Sequence, residues 1–148
     1  MRTDTMAGAA AITVLNKFSA AYNCRDMDNL LALFASHPPV VFIGTGSDEK
    51  HTDISGIKKQ FERNWVQAEK STMELIPISV SAAEGVAWAA CDVKLYAKVN
   101  GKDTNFSGRL TLVLQSNEGR WNIVQWHGSM PFPGQNDGES FPGRISTN

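Results

Sequence analysis

Three hydrogen-bonding residues near the end of the chain, Gln125, His127 and Ser129, have the spacing of one face of a β-strand. Trp121 and Ile123 precede them on the same face, which predicts a strand that packs under a core at one end and opens into a pocket at the other. Because imidazole titrates near neutral pH, the sequence predicts His127 as an acid or base in that pocket. A core histidine that donates to a backbone carbonyl is the alternative.

Two carboxylates and one guanidinium could work with this histidine. Asp48 and Glu49 lie in a polar loop before a helix, and they form either a solvated turn or the rim of the pocket, where one orients His127. Arg109 lies among apolar residues, where an unpaired buried charge is costly. We therefore expect Arg109 to pair with Glu49 or Asp92, or to bind a carboxylate of the ligand.

The other predicted pocket residues are aromatic or small and polar. Tyr22 and Trp65 also fit helical core stripes, so a purely structural role is open for both. The expected substrate-binding set is Tyr22, Phe42, Trp65, Trp88, Arg109, Thr111, Gln125 and Ser129. The three histidines have no partner at i+2 or i+4, and His37 and His51 are interpreted as loop residues. We therefore expect no metal site and no cofactor.

Three helices and a strand are predicted in the first half of the chain. The apolar spacing predicts one helix over Ala10–Tyr22, a second that begins at an Asp26 cap and extends to Phe34, and a third over Ile54–Ala68. The apolar run Val40–Ile43 predicts a short strand.

The second half has the period of β-structure. Glycine-containing turns, among them Asn100-Gly101, separate four segments and predict an antiparallel meander. The segments are Thr72–Ser81, Val86–Val99, Thr104–Gln115 and Arg120–Met130. Pro77 predicts an edge or a bulge in the first of them. Helices followed by a curved antiparallel sheet give an α+β fold.

Composition limits the possible partners and location. The chain has 148 residues with 14 basic and 15 acidic side chains, and no basic stripe predicts binding to nucleic acid. No apolar stretch is long enough to span a membrane. Two cysteines without a disulfide or metal pattern favour a reducing, cytoplasmic location.

The domain is expected to cover residues 10–131, with a disordered N-terminus at 1–9 and an extended tail at 132–148. Trp126 and Met130 alternate with His127 and would lie on the outer face of the sheet. Large apolar side chains are rarely left in water, so the sequence predicts a homodimer through that face.

Several short segments, in this order, resemble the SnoaL-like branch of the nuclear transport factor 2-like (NTF2-like) superfamily. The segments are Ala21–Asn23, Arg25–Asp28, Gly44–Glu49 with Gly56, Gly108–Thr111 and Trp121–Ser129, and the resemblance covers residues 10–131. It implies a cystatin-like cone in which three helices pack on a curved sheet around a cavity, and commonly a homodimer through the outer sheet face. Ketosteroid isomerases, polyketide cyclases, dehydratases and kinase association domains share this fold, so the resemblance implies no single activity.

Two functions of different class follow. The first is a small-molecule-binding protein that takes a mostly apolar, ring-sized ligand, either without chemistry or with an isomerisation, cyclisation or dehydration through His127 and a carboxylate. The second is a non-enzymatic binding or association module whose cavity is structural or takes a carboxylate-bearing ligand on Arg109. A structure in which Arg109 is paired internally and His127 is bonded to backbone would favour the second.

Overall fold

The structure, a computed structural model, describes residues 5–143. Its helices are α1 (Thr5–Asn23), α2 (Met27–Leu31) and α3 (Ile54–Gln67). Asp26 and Asp53 cap α2 and α3, because their side chains accept hydrogen bonds from the backbone N–H groups of Asn29 and Gly56. No helix within residues 5–143 is long and apolar enough to cross a membrane.

The first helix begins earlier than predicted. It starts at Thr5 instead of Ala10, so the prediction of disorder is wrong for residues 5–9. The reason is a run of small residues that are good helix formers, in which Ala7 and Ala11 pack in the core. The first four residues of the predicted disordered segment lie outside the described part of the chain.

Six strands form one sheet. They are β1 (Val41–Ile43), β2 (Lys50–His51), β3 (Lys70–Ala83), β4 (Val86–Val99), β5 (Lys102–Asn117) and β6 (Arg120–Ser129). The order across the sheet is β2-β1-β6-β5-β4-β3, and all pairs are antiparallel except β1 with β6. The α+β fold and the meander are confirmed. The parallel β1–β6 pair was not predicted.

The turns and the edge strand agree with the sequence analysis. Asn100 and Gly101 both have positive φ, 51° and 76°, as a two-residue primed turn requires. β3 is an edge strand, and its register with β4 shifts between Pro77 and Ser79. Beyond β6, residues 130–143 contain no helix or strand.

The core lies between the helices and the inner face of the sheet. An aromatic cluster fills its centre, in which the rings of Phe18 and Trp126 stack with centroids 4.1 Å apart, and Phe34, Phe42 and Phe61 surround them. Trp126 is only 4% exposed. The prediction that Trp126 lies on the outer face is therefore wrong.

A β-bulge in β6 explains this error. Leu114 pairs with Ile123 and Val113 pairs with Gln125, so Val124 has no partner on β5. An extra residue reverses the alternation of side chains beyond it. Ile123 and Trp126, three positions apart, therefore both point into the core.

Candidate functional site

A cavity of about 310 Å³ lies between the helices and the inner face of β3 to β6. Its walls are mainly apolar and come from α1, β1, the end of α3 and the four long strands. These apolar residues are Tyr22, Phe42, Ala68, Met73, Val93, Leu95, Ala97, Val99, Phe106, Leu110, Trp126 and Met130. Gly128 also lines the cavity, and its missing side chain leaves room beside the Trp126 indole. This size and composition are typical of sites for small molecules.

Glu49 supplies the carboxylate of the cavity. Its side chain is 17% exposed, its Oε2 accepts a hydrogen bond from the Gly46 N–H, and its Oε1 lies 4.0 Å from Arg63 Nη2. Backbone hydrogen bonds that join Glu49 to Gly44 and Gly46 hold the loop in place. Glu49 is the one acidic residue that lines the cavity within residues 5–143.

Asp48 points away from the cavity. Its carboxylate accepts hydrogen bonds from both terminal nitrogens of Arg63 at 2.7 and 3.4 Å, and its side chain is 68% exposed. The hydrogen bond and the charge of Arg63 hold the pKa of Asp48 below its ordinary value. Asp48 is therefore a surface partner of Arg63, and its predicted catalytic position is wrong.

A chain of hydrogen bonds leads from β2 along α3 to the cavity wall. His51 Nε2 lies 3.0 Å from Gln60 Oε1, Gln60 Nε2 donates to Asn64 Oδ1 at 2.9 Å, and Asn64 Nδ2 donates to the Tyr22 hydroxyl oxygen at 3.4 Å. Gln60 and Asn64 are one helical turn apart, so their side chains meet on one face of α3. His51 was interpreted as a loop residue, but it lies in β2 and joins this network.

Ser71 is a polar group that the sequence analysis missed. It lies on β3 opposite Ala97, lines the cavity and is 4% exposed. Its hydroxyl has no hydrogen-bond partner among residues 5–143. A buried hydroxyl without a partner costs about 1–3 kcal/mol, so a bound molecule that supplies one would recover this loss. The signal in the sequence was weak: one serine at an inward position of an edge strand.

Three residues predicted for the cavity lie on the opposite face of the sheet. His127, Gln125 and Thr111 are exposed and do not line the cavity, and His127 pairs with Thr111 across β5 and β6. The bulge at Val124 is the cause for Gln125 and His127, because it reverses the side-chain alternation at the end of β6. Thr111 was placed inward only because it pairs with His127. The predicted role of His127 as proton carrier depended on its position in the pocket and fails with it.

The remaining predicted residues divide between the two faces. Tyr22 and Phe42 line the cavity as predicted, whereas Trp65 packs on the rings of Phe61 and Tyr22 without lining it. Trp88 pairs with Val113 on the outer side of the sheet and does not line the cavity either. Met130, predicted for the outer face, lines the cavity instead.

Arg109 and Ser129 lie at the edge of the cavity. The Arg109 guanidinium donates hydrogen bonds to Ser129 Oγ at 3.3 Å and to the Met130 carbonyl at 3.4 Å. Within the described residues, Arg109 forms no ion pair with Glu49 or Asp92. Arg109 is exposed, so water can solvate its charge without a carboxylate partner.

No cluster of three or more histidine, cysteine, aspartate or glutamate side chains suited to a metal ion occurs in residues 5–143. Among the polar groups that line the cavity, the Glu49 carboxylate can accept a proton, and the hydroxyl and amide groups of Tyr22, Asn64 and Ser71 can donate hydrogen bonds. Thr45, Gln67, Arg109 and Ser129 also line it.

Comparison with solved structures identifies the class of fold. An NTF2-like superfamily protein from Salmonella enterica serovar Typhimurium LT2 is 22% identical, with a TM-score of 0.78 over 93% of this chain and 100% of the other. A proposed dehydratase of the NTF2-like family from Streptomyces avermitilis is 14% identical, with a TM-score of 0.74 over 82% and 94%. A proposed calcium/calmodulin-dependent protein kinase II association domain from Xanthomonas campestris is 22% identical, with a TM-score of 0.72 over 84% and 86%. At these identities the likeness shows the NTF2-like, cystatin-like fold alone.

The sequence model of the SnoaL-like domain matches residues 12–133, and the chain therefore belongs to the SnoaL-like domain family of the NTF2-like superfamily. The resemblance noted in the sequence is confirmed. No curated protein sequence matches the chain.

Proposed function

We propose that this protein binds a small, mostly apolar molecule in the cavity between its helices and sheet. The observation that carries the proposal is the cavity itself: about 310 Å³ of space with mainly apolar walls and a buried hydroxyl, that of Ser71, without a partner. The two charged residues that line the cavity, Glu49 and Arg109, are opposite in sign, and most of the remaining lining is apolar. The apolar ligand is therefore favoured over the carboxylate-bearing one that Arg109 suggested.

A cavity-filling variant tests this proposal. A Cβ atom built at Gly128 would meet no atom closer than 3.9 Å, so Gly128→Leu should fold and occupy the cavity. Titration calorimetry should show saturable binding of the bicyclic hydrocarbon tetralin to the wild type, and Gly128→Leu should weaken that binding at least about tenfold. Gln115→Leu, which adds the same side chain at an exposed position of β5, is the control. Equal binding by both variants would refute the cavity as the site.

We also propose that Glu49 carries a proton in this cavity, in an isomerisation, cyclisation or dehydration. Its support is position: a poorly exposed carboxylate held by the Gly46 N–H at the mouth of an apolar cavity. The ketone 2-tetralone offers acidic C–H groups next to its carbonyl. The Glu49 carboxylate would take one of these protons and pass it to solvent, and the return of a deuteron from D2O would restore the ketone.

Proton NMR in D2O measures this exchange. The wild type should accelerate it, and Glu49→Gln, which keeps the size and removes titration, should lower the acceleration by about 10² to 10⁴. Glu84→Gln makes the same chemical change in the exposed turn between β3 and β4, outside the cavity, and should leave the rate unaltered. A wild-type rate equal to that of buffer would exclude the proton-transfer role while leaving the binding role intact.

The second candidate function is an association module, and it rests on the outer face of the sheet. Four apolar side chains are only partly buried there, and no helix of the described chain covers them: Trp88 on β4, Val113 on β5, and Val41 and Ile43 on β1, across β6 from β5. We propose that this face forms a homodimer, without the contribution from Trp126 and Met130 that the sequence suggested.

We also propose a cytoplasmic location, since Cys24 and Cys91 are both free thiols.

Sedimentation velocity distinguishes a homodimer from a monomer. The wild type should be a dimer at micromolar concentration and Trp88→Glu a folded monomer, whereas a wild-type monomer would exclude the association role. A dimer that neither binds tetralin nor exchanges 2-tetralone protons would favour the association module over the enzyme.

A further inference from the structure

The chain beyond β6 forms an ordered loop of its own. Residues 132–143, the C-terminal loop, are held by hydrogen bonds among themselves, and the bond from the Gly143 N–H to the Gly134 carbonyl, 3.1 Å long, closes the base of the loop. This bond joins two copies of the tripeptide Phe-Pro-Gly, at residues 132–134 and 141–143. Because its two ends are tied together, the loop can move as one unit.

The C-terminal loop exposes two aromatic rings. Phe132 is 56% exposed and Phe141 is 81% exposed. Every other residue of the loop is exposed as well, except the partly buried Pro142, and no hydrogen bond within residues 5–143 joins the loop to the domain. A single exposed apolar side chain is ordinary, but two rings on one ordered loop are typical of a surface that a partner covers.

Part of the apolar wall of the cavity is also uncovered. Four residues of β3, β4 and β5 line the cavity and are only partly buried: Met73, Val93, Leu95 and Phe106. Met130, the first residue after β6, lines the cavity too and is 38% exposed. Small-molecule sites usually bury about 70–90% of the ligand surface, so a ligand against this wall needs a further cover.

The chain enters the C-terminal loop from the cavity side of the sheet. Gly108 lines the cavity, and a Cβ atom built there would lie 2.6 Å from the carbonyl oxygen of Ser129. The end of β6 therefore crosses the inward side of β5, at a point where a glycine leaves room for backbone. The Arg109 guanidinium donates to the Met130 carbonyl at 3.4 Å and holds this crossing. Phe132 follows two residues later, so its Cα lies at most roughly 7 Å from that of Met130.

We infer that the C-terminal loop is a lid for the cavity: when a ligand is bound, the loop folds over the uncovered wall and the Phe132 ring becomes part of the ligand site. This inference rests on the proposed binding function and adds how that site closes. Phe132 is assigned the ligand contact because it is the ring nearer to Met130. Phe141 moves with it, since the bond at the base of the loop joins the two Phe-Pro-Gly copies.

Titration calorimetry with tetralin tests the lid in the full chain. Phe132→Ser removes an exposed ring, so the domain should stay folded, and tetralin should bind roughly threefold to tenfold more weakly because one side of it remains in water. Val66→Ser is the control, because Val66 is 87% exposed on α3 and does not line the cavity. Its affinity for tetralin should stay within about twofold of the wild type. Wild-type affinity in Phe132→Ser would overturn the inference.

Nuclear Overhauser effects between tetralin and the protein report the contact directly. The ring protons of Phe132, assigned by their absence from the spectrum of Phe132→Ser, should show these effects in the wild type saturated with tetralin. The ring of Phe141 should show none. Effects on Phe141 alone, or a loss of affinity in Phe132→Ser without any effect on Phe132, would contradict the proposed closure.

A second copy of the chain is the alternative cover for the two rings. Phe132→Ser would then sediment more slowly than the wild type at micromolar concentration while binding tetralin equally well, and this result would overturn the lid.

Failure of the lid and failure of the proposed function give different results. If tetralin binds the wild type and Phe132→Ser with equal affinity, the binding function stands and the lid alone is wrong. If tetralin binds neither protein, the proposed binding function is wrong and the lid fails with it.

Discussion

The two faces of the sheet come from the same strands and have opposite character. On the inner face Leu110, Leu112 and Trp126 are buried beneath the helices, and the uncovered end forms the cavity. On the outer face Thr111 and His127, which are their neighbours in sequence, are exposed. A residue's chemistry therefore depends on which face it occupies, and that differs between adjacent positions.

One unpaired residue, Val124, decides which side chains at the end of β6 point inward. Before Val124 the inward residue is Ile123, and after it the inward residue is Trp126. Without the bulge, His127 would enter the cavity and Trp126 would face outward. The difference between the faces is thus a property of the pairing of β6 with β5, and it can be tested by variants that compare neighbouring positions.

The largest contrast is expected between Trp126→Ala and His127→Ala. Loss of the Trp126 indole removes the ring that stacks on Phe18 and should lower the free energy of unfolding by about 3–5 kcal/mol. His127 is exposed, and its truncation should change that free energy by at most about 0.5 kcal/mol. Urea unfolding measures both. A larger loss for His127→Ala would mean that β6 presents the opposite face.

An intermediate effect is expected at the turn that sets the register of β4 with β5. Gly101 has a φ of 76°, which strains a β-branched residue, so Gly101→Val should cost about 1–3 kcal/mol. Gly143, exposed and beyond the last strand, is the control, and Gly143→Val should be nearly neutral. Melting temperatures compare the two. If they are equal, the turn does not hold the register, and the assignment of faces in β5 loses this support.

Local patterns were enough to predict most of the fold. The Ile54, Ile57 and Phe61 stripe identified α3, and Asn100-Gly101 identified a tight hairpin that the positive φ angles confirm. These signals act over a few residues and do not depend on distant partners. The parallel pairing of β1 with β6 joins segments far apart in sequence, and no local pattern indicates it.

The site was harder to predict because it depends on pairing and on the ends of elements. Tyr22, Phe42 and Glu49 were expected at the cavity and line it, but His127 was assigned to the wrong face because a bulge leaves no mark in an alternating sequence. Ser71 was missed because one serine in a strand carries little information until its burial is known. The leucines of β5 do mark its inner face, but the sequence analysis took that face from His127 and therefore placed Thr111 inward.

The smallest effect concerns a thiol on the inner face. Cys91 is fully buried, and burial, followed by the charge of Asp92, raises its pKa from the ordinary 9.0 to about 11. The folded state therefore holds the thiol proton more tightly than the unfolded state does. The contribution of Cys91 to stability is intact below pH 9 and declines as the pH rises from 9 towards 11.

Thiol modification and urea unfolding test this difference, with the exposed Cys24 as the internal control. At pH 8 a thiol reagent should modify Cys24 at once and Cys91 only on unfolding, and Cys91→Ala should flatten the fall in urea midpoint between pH 8 and pH 10. Rapid modification of Cys91 in the native protein would show that the inner face opens to solvent. That result would contradict the difference in burial between the two faces.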